Sequence, residues 1–261
     1  MTTWDPGQYL QFREARLRPA LDLLARILPA VPPGLVVDLG CGPGNLTSRL
    51  AERWPDAEVI GVDSSPAMLA DARREHPGLT WVEADLATYE PPRPADVVFT
   101  NAALHWLSDH EHLLPTLLGR VAPDGVLAVQ VPAEWDAPSH TEGFAIAASP
   151  RWRDRLSVHL PEQPLLTPAQ YLDVLLPLAA DVDCWTTTYH HVLEGPDPVV
   201  EWFKGSFLRE FLSRLDDADG AVFVADYAEA MRRWYPPRPD GRTVLPFRRL
   251  FLVARALATA A

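Results

Sequence analysis

Short apolar runs alternate with helical segments between residues 34 and 132, and no other feature of the sequence restricts the fold as strongly. This alternation is typical of βαβ units, in which the strands form a parallel sheet and the helices cover it. The runs that predict strands are 35–38, 58–63, 80–83, 95–100 and 126–130. The sequence therefore predicts an α/β fold with a mostly parallel sheet.

Two later runs, 182–191 and 247–254, also predict strands, which can pair antiparallel at one edge of the sheet. Between them lie helical segments near 198–214 and 217–234. A connection of that length in a compact domain indicates a lid or a substrate-binding cap. We therefore predict a seven-stranded, Rossmann-like sheet with an antiparallel last strand and a helical cap. An amphipathic helix over 8–29 precedes it.

The same pattern divides the chain into four segments. Residues 1–33 are an N-terminal helical segment, 34–132 the Rossmann-like core, and 133–180 a cap segment and helix. Residues 181–261 hold the last two strands with a helical cap insertion at about 195–240. We expect the core to bind a ligand and the cap to determine the substrate.

Charge and composition exclude several functions. The formal net charge of -12 repels a phosphate backbone, and the chain has no Lys/Arg run. No stretch approaches the roughly 20 apolar residues that span a bilayer, and the first residues lack the parts of a signal peptide. The two cysteines, Cys41 and Cys184, cannot make a disulfide framework or a metal cage. We expect a cytoplasmic monomer or weak homodimer that binds no nucleic acid, membrane or metal.

A glycine-rich turn, Asp38-Leu39-Gly40-Cys41-Gly42-Pro43-Gly44, follows the first predicted strand and precedes a helix. Glycines permit close approach of the main chain to a ligand, here at the carboxyl ends of the strands, where doubly wound sheets bind ligands. A dinucleotide fingerprint needs Gly or Ala where Asn45 or Thr47 stands, so that pattern fails in both registers.

Acidic residues follow the next two strands. Asp63 ends the second strand, and its two carboxylate oxygens suit two vicinal ribose hydroxyls; capping of the helix that begins near Ser64 is the alternative. Asp85 follows the third strand, where it can accept from an adenine amino group while Leu86 covers a ring face. A solvated turn is the alternative for Asp85.

As a set with Asn101, these positions resemble the motif series of class I S-adenosylmethionine-dependent methyltransferases. The resemblance implies that residues 34–132 bind S-adenosylmethionine, which leaves as S-adenosylhomocysteine. It assigns the methionine moiety to the glycine turn, the ribose to Asp63, and the adenine to Asp85 with Leu86. The cofactor-binding residues that we predict are Asp38, Gly40, Cys41, Gly42, Asp63, Ser64, Met68, Asp85, Leu86, Asn101, Ala102 and Trp106.

Further strings, spread from the first residues to the last strand, resemble trans-aconitate methyltransferases. They include Trp4-Asp5-Pro6, Asp63-Ser64-Ser65-Pro66-Ala67-Met68, Asn101-Ala102-Ala103-Leu104-His105-Trp106, Trp185-Thr186-Thr187-Thr188-Tyr189-His190-His191 and Arg249-Leu250-Phe251. Thr186 is a departure, since some members carry a charged residue there. The resemblance implies methyl transfer to a carboxylate oxygen of trans-aconitate or a similar small polycarboxylate, which gives a monomethyl ester.

This reaction demands little of side chains. A carboxylate with a pKa of about 4 is already ionised, so no general base is needed, and we predict no catalytic residue beyond proximity and orientation. A small anionic carboxylate substrate needs local cations, and arginine can bind both of its oxygens. The substrate-binding candidates are Tyr9, Arg16, Arg18, His105, Tyr189, His191, Arg209 and Arg249. Solvated helix faces and core packing are the alternatives for these residues.

Two other functions remain open at this point. The first is methylation of a different small acceptor, such as a secondary metabolite, because the cap determines the acceptor. The second is binding of S-adenosylmethionine without turnover. Turnover with any acceptor would exclude binding without turnover and leave methylation of a carboxylate or of another small acceptor.

Overall fold

The computed structural model describes residues 13–156 and 165–258, except for the side chains of 13–16. This part of the chain forms a single seven-stranded sheet. The strands are β1 (Leu35–Leu39), β2 (Glu58–Asp63), β3 (Thr80–Glu83), β4 (Ala95–Asn101), β5 (Val121–Pro132), β6 (Ala179–Leu193) and β7 (Thr243–Ala256). Their order in the sheet is β3-β2-β1-β4-β5-β7-β6.

Helices connect most of the strands. Those in the described residues are α1 (Arg13–Arg26), α2 (Asn45–Arg53), α3 (Pro66–Glu75), α4 (His110–Gly119), α5 (Pro138–Ala147), α6 (Arg153–Leu156), α7 (Pro168–Leu175), α8 (Pro198–Lys204), α9 (Arg209–Leu212) and α10 (Asp217–Trp234). A 3-10 turn, Leu104–Trp106, follows β4. No helix in this part of the chain combines the length and the apolar character that crossing a bilayer requires.

The pairing of the strands confirms the predicted sheet. β1 lies parallel to β2 and β4, and β5 continues the parallel order beside β4. β7 pairs antiparallel with β5, and β6 forms the edge beside β7. All five residues of β1 are buried, as expected of a central strand that is covered on both faces. Parallel pairing brings the carboxyl ends of β1, β2, β3 and β4 to one edge, which we call the carboxyl edge.

Several boundaries differ from the prediction. β6 and β7 extend beyond the predicted 182–191 and 247–254 at both ends, and α1 and β5 differ at positions where proline or glycine explains the change. α1 ends at Arg26 and not at residue 29, because Pro29 disfavours helical backbone at the residue before it. β5 begins at Val121, before the predicted residue 126. The turn at 123–125 lies within the strand as a bulge, since Ala95 pairs with Val121 whereas Val97 pairs with Val126. The predicted start of the first helix lies outside the described residues.

The chain divides into two compact units. Among the described residues, the first, which we call the sheet unit, comprises 18–132, 165–187 and 249–258, and the second, the helical unit, comprises 13–17, 133–156 and 188–248. The helical unit has an aromatic-rich core in which Trp152, Phe223 and Tyr227 are almost fully buried. The hydroxyl of Tyr227 donates to the carbonyl of Ser139 at 2.9 Å, so its polar atom is satisfied inside that core.

Candidate active site

The glycine-rich turn folds into a loop that is bonded to β2. Its three glycines have positive φ angles of 75°, 55° and 84°. The amides of Gly40 and Cys41 both donate to the carbonyl of Val62, at 2.8 and 3.0 Å. A Cβ at Gly40 would lie 2.4 Å from the Ala103 Cβ, whereas a Cβ at Gly42 would meet no atom within 4 Å. Gly40 is therefore required for packing, and the main chain at Gly42 faces open space.

Asp63 joins this loop to the start of α3. Its Oδ2 accepts from the Gly42 amide at 2.8 Å, and its Oδ1 accepts from the Ser65 amide at 2.8 Å. The hydroxyl of Ser65 caps α3 by accepting from the Met68 amide. Ser64 is exposed, and Met68 is half-buried. Each carboxylate oxygen has a further lone pair, so Asp63 can order the loop and still accept from a ligand.

The residues after β3 form a tight turn beside the loop. Oδ1 of Asp85 accepts from the Ala87 amide at 2.8 Å, and the carbonyl of Asp85 accepts from the Tyr89 amide at 2.8 Å. Asp85 is exposed. The Leu86 side chain lies 3.6 Å from where a Cβ of Gly40 would stand. The structure therefore brings this acid and this apolar side chain next to the glycine loop.

The end of β4 adds a polar group. Asn101 pairs with Gln130 across the sheet, and Ala102, at a φ of 52°, donates its amide to the Gln130 carbonyl at 2.8 Å. The Oδ1 atom of Asn101 is buried and has no hydrogen-bond partner among the described residues. A buried acceptor without a partner is costly, and a ligand donor at this position would remove that cost.

Asp38 lies buried at the end of β1 and accepts from the Thr47 hydroxyl at 2.6 Å. Burial raises the pKa of Asp38 to about 7, the Thr47 bond opposes this rise, and the charge of Asp63 adds to it. Burial likewise raises the pKa of the Cys41 thiol. A thiol that stays protonated is a poor nucleophile, so Cys41 contributes a small side chain to the loop and no reactive group.

Sequence reasoning missed Trp81. Its ring covers two glycines, because a Cβ at Gly44 or at Gly61 would lie 2.4 Å from the indole. Trp81 stands opposite Gly61 in the pairing of β2 with β3, and its Nε1 donates to the His76 carbonyl at 3.2 Å. A bulky side chain opposite a glycine on the neighbouring strand was the available signal. Trp81 supports the glycine loop from the side of β3.

The 3-10 turn carries His105 and Trp106, whose rings lie 4.6 Å apart. Trp106 is 57% exposed. His110 holds this turn, since its Nε2 lies 3.0 Å from the Leu104 carbonyl and its Nδ1 lies 2.6 Å from the Tyr171 hydroxyl. Burial lowers the pKa of His110, so the neutral ring donates from Nε2 and accepts from Tyr171 at Nδ1.

Two arginine candidates of the sheet unit have opposite surroundings. Arg249 is 5% exposed and lies opposite Pro132, at the carboxyl end of β5. The side chain of Arg18 is 73% exposed and lies 4.0 Å from Asp22 on the same helix, which is the arrangement of a solvated face. Tyr9 and the side chain of Arg16 lie outside the described residues.

The helical unit holds the other substrate candidates. Tyr189 and His191 are buried on one face of β6 with their rings 6.3 Å apart, and His191 stacks on Trp202 at 4.5 Å. Arg209 begins α9 and is half-buried. The neighbouring Arg248 is engaged within this unit, because it donates to the Ala133 carbonyl at 2.9 Å and pairs with Asp136.

The described residues contain no group of three or more His, Cys, Asp or Glu side chains that could hold a metal ion. They do place acceptors along the carboxyl edge, namely Asp38, Asp63, Asp85 and Oδ1 of Asn101. S-adenosylmethionine carries a sulfonium and an ammonium, so acceptors and open main chain beside Gly42 fit its chemistry. The fold and these residues define a class I S-adenosylmethionine-dependent methyltransferase.

Comparisons with known proteins agree with this class. Residues 36–125 match a family described as a methyltransferase domain. The YcgJ protein of Bacillus subtilis has the same fold, with a TM-score of 0.58 at 14% identity over 91% of this chain and 97% of that chain. Phosphoethanolamine N-methyltransferase 2 of Haemonchus contortus, solved with S-adenosyl-L-methionine, has a TM-score of 0.54 at 18% identity over 92% of this chain and 52% of that chain.

Curated relatives narrow the class. The trans-aconitate 2-methyltransferase of Methylobacterium radiotolerans is 47% identical to this chain, over 98% of this chain and 99% of the relative. That of Streptomyces avermitilis is 46% identical, over 97% of this chain and 96% of the relative. The chain belongs to the trans-aconitate 2-methyltransferase family.

Proposed function

We propose that this chain transfers a methyl group from S-adenosylmethionine to a carboxylate oxygen of trans-aconitate or of a similar small polycarboxylate. The observation that carries the proposal is the extent of the similarity between this chain and the trans-aconitate 2-methyltransferase of Methylobacterium radiotolerans. It covers 98% of the chain at 47% identity, whereas the general methyltransferase domain covers only residues 36–125. The additional similarity includes the helical unit, where a substrate-specific part of the chain is expected.

Each part of the carboxyl edge has a role in this proposal. The main chain at Gly40 and Gly42 holds the methionine moiety, Asp63 accepts from the ribose, and Asp85 with Leu86 binds the adenine. When bound, S-adenosylmethionine supplies a methyl group already activated by its sulfonium sulfur. Asn101 contributes a buried acceptor whose cost a donor of the cofactor removes.

In this proposal the side chains of the protein orient the acid substrate and provide a cation that pairs with its carboxylate. The substrate carboxylate is ionised at neutral pH, so no side chain has to remove a proton. Arg249 is the cation that we assign to it, since a buried guanidinium binds a carboxylate more strongly than an exposed one does. His105, Tyr189, His191 and Arg209 are further candidates. The net charge of -12 supports a small-molecule partner over nucleic acid.

Mass spectrometry of the protein incubated with S-adenosylmethionine tests the proposal, with trans-aconitate, cis-aconitate, citrate and isocitrate as acceptors. We expect a monomethyl ester of trans-aconitate together with an equal amount of S-adenosylhomocysteine. Arg249→Gln is expected to raise KM for the acid about tenfold or more, the scale of a lost charged hydrogen bond, and to leave the Kd for S-adenosylhomocysteine unchanged. Absence of ester with all four acids would overturn the substrate assignment.

Binding of the cofactor is tested separately by calorimetry. Asp63→Ala is expected to weaken S-adenosylhomocysteine binding by about 1.5–3 kcal/mol, since a charged acceptor is lost. Asp56→Ala is the matched control, because Asp56 is an exposed acid that precedes the other end of β2. Equal affinity of the Asp63 and Asp56 variants would remove Asp63 from the site.

A further inference from the structure

Arg120 is a buried arginine outside the set of residues assigned above. It is 5% exposed and follows α4, immediately before β5. Its Nη1 donates to the Leu86 carbonyl at 2.8 Å, and its Nη2 donates to the Ala87 carbonyl at 2.6 Å. Its Nε donates to Oε1 of Glu90 at 3.2 Å. All three guanidinium nitrogens are therefore bound to the segment that follows β3.

Because the guanidinium of Arg120 is buried, its hydrogen-bond partners must be held in one geometry. A buried cation is costly unless each donor has a partner. The side chain of Glu90 is 73% exposed, so water weakens its attraction to the guanidinium. The carbonyls of Leu86 and Ala87 therefore satisfy most of the buried charge. The fork of the guanidinium can reach both carbonyls only if the two peptide groups keep one relative orientation.

The segment held by Arg120 carries the residues assigned to the adenine. Leu86 carries one of the two bound carbonyls, and Asp85 directly precedes it. The segment is also bonded at its start, where the Ala84 amide donates to the Asp63 carbonyl at 3.1 Å. Between these two attachments the backbone of Asp85 and Leu86 is held in place, and the Asp85 carboxylate is bonded to the same segment, because its Oδ1 accepts from the Ala87 amide at 2.8 Å.

We propose that Arg120 is a positioning residue that orients Asp85 toward the amino group of the adenine. This inference rests on the proposed function, in which Asp85 accepts from that amino group. Its consequence is selectivity between purines. The wild-type protein discriminates S-adenosylhomocysteine from S-inosyl-L-homocysteine, which carries a carbonyl oxygen in place of the amino group and places it against the carboxylate.

The affinity ratio for these two ligands, measured by calorimetry, tests the proposal. We expect the wild type to bind S-adenosylhomocysteine about tenfold or more tightly than the inosyl compound, as for a site built to pair a polar group. Arg120→Met keeps an unbranched side chain and removes all donors, and it is expected to bring the ratio below about threefold. Arg120→Lys, with a single ammonium, is expected to restore part of the ratio.

The ratio separates positioning from a general loss of stability. A variant that is only less stable binds both ligands less well, so the ratio does not change. Arg93→Met is the matched control, because Arg93 also donates to a carbonyl, that of Gly34 at 3.1 Å, before β1 begins. We expect it to keep the wild-type ratio. In an Asp85→Ala background, Arg120→Met is expected to change the ratio by less than about twofold, since coupled residues are not additive.

The outcomes distinguish the two proposals. If Asp85→Ala abolishes the discrimination and Arg120→Met keeps it, the role of Arg120 is wrong and the proposed function stands. If Arg120→Met does not fold, a wild-type ratio in Arg120→Lys overturns the role. If the wild type binds neither ligand, or Asp85→Ala keeps the ratio, the adenine assignment fails and the role of Arg120 fails with it.

Discussion

Asp38 shows how one residue can lower the stability of the protein that contains it. Its carboxyl group is buried at the end of β1, beneath the glycine loop, and accepts from Thr47. Burial raises its pKa to about 7 from an ordinary value of 3.8. The folded protein therefore binds more protons than the unfolded chain between these values, and stability falls as the pH rises through that window.

Asp38→Asn removes the charge and retains an oxygen that can accept from Thr47. The variant is expected to gain roughly 2–4 kcal/mol relative to wild type at pH 8, and little at pH 4, because wild type is then protonated as well. Urea denaturation without ligand at the two pH values measures the difference. Asp56→Asn is the exposed control. An equal gain in stability at both pH values would contradict the raised pKa of Asp38.

The placement of the candidate site residues was predictable to the extent that they follow strands. Asp63, Asp85 and Asn101 each stand where an apolar run ends, and parallel pairing brings such positions to one edge. Arg120 was not predictable in the same way. Its partners are backbone carbonyls 33 and 34 residues away, and every residue has a carbonyl, so sequence gives no signal for that contact.

His110 joins three elements of the sheet unit. It begins α4, and its ring connects the 3-10 turn after β4 to Tyr171 of α7. Tyr171 is 1% exposed, so water does not replace a lost partner. The pair therefore contributes through satisfied hydrogen bonds, and removal of one partner leaves the other buried and unsatisfied.

Tyr171→Phe is expected to lower the free energy of unfolding by about 1–3 kcal/mol, because Nδ1 of His110 loses its donor. Chemical denaturation measures the change. Tyr89→Phe serves as the control, since Tyr89 is only half-buried and its hydroxyl is expected to contribute less. If both variants lose the same free energy of unfolding, the hydrogen bond between His110 and Tyr171 does not stabilise the fold as described.

Most elements were predictable from periodicity, and the exceptions have local causes. The helix at 217–234 was predicted at the bounds of α10. The segment near 198–214 divides into α8 and α9, with Gly205 ending the first of them. Gly205 has poor helix propensity, but glycine is also tolerated within helices, so the position alone did not determine the break.

At the scale of the whole molecule, acid stability depends on a histidine of the helical unit. His140 lies among aromatic rings, 4.3 Å from Phe207 and 5.3 Å from Phe203. Burial lowers its pKa to about 4 from 6.5. The unfolded chain binds more protons between these values, so the contribution of His140 to stability falls as the pH drops through that window.

His140→Phe replaces the titrating ring with an apolar one. Relative to wild type, the variant is expected to gain stability on acidification from pH 7 to pH 4.5, by about 2 kcal/mol. Thermal denaturation of both proteins at the two pH values measures this gain. Titrating groups that the variant and the wild type share contribute equally to both, so their effects cancel. His112→Asn, at an exposed site on α4, is expected to show no such gain. The opposite sign would mean that the His140 ring is charged when folded.

The packing of Trp81 on Gly61 has a consequence for the evolution of the family. The two residues face each other across β2 and β3, and a Cβ at position 61 would stand 2.4 Å from the indole. Gly61 therefore cannot gain a side chain while Trp81 stays as it is. In the descent of these enzymes, positions 61 and 81 are therefore expected to substitute as a pair, with any larger side chain at 61 inherited together with a smaller one at 81.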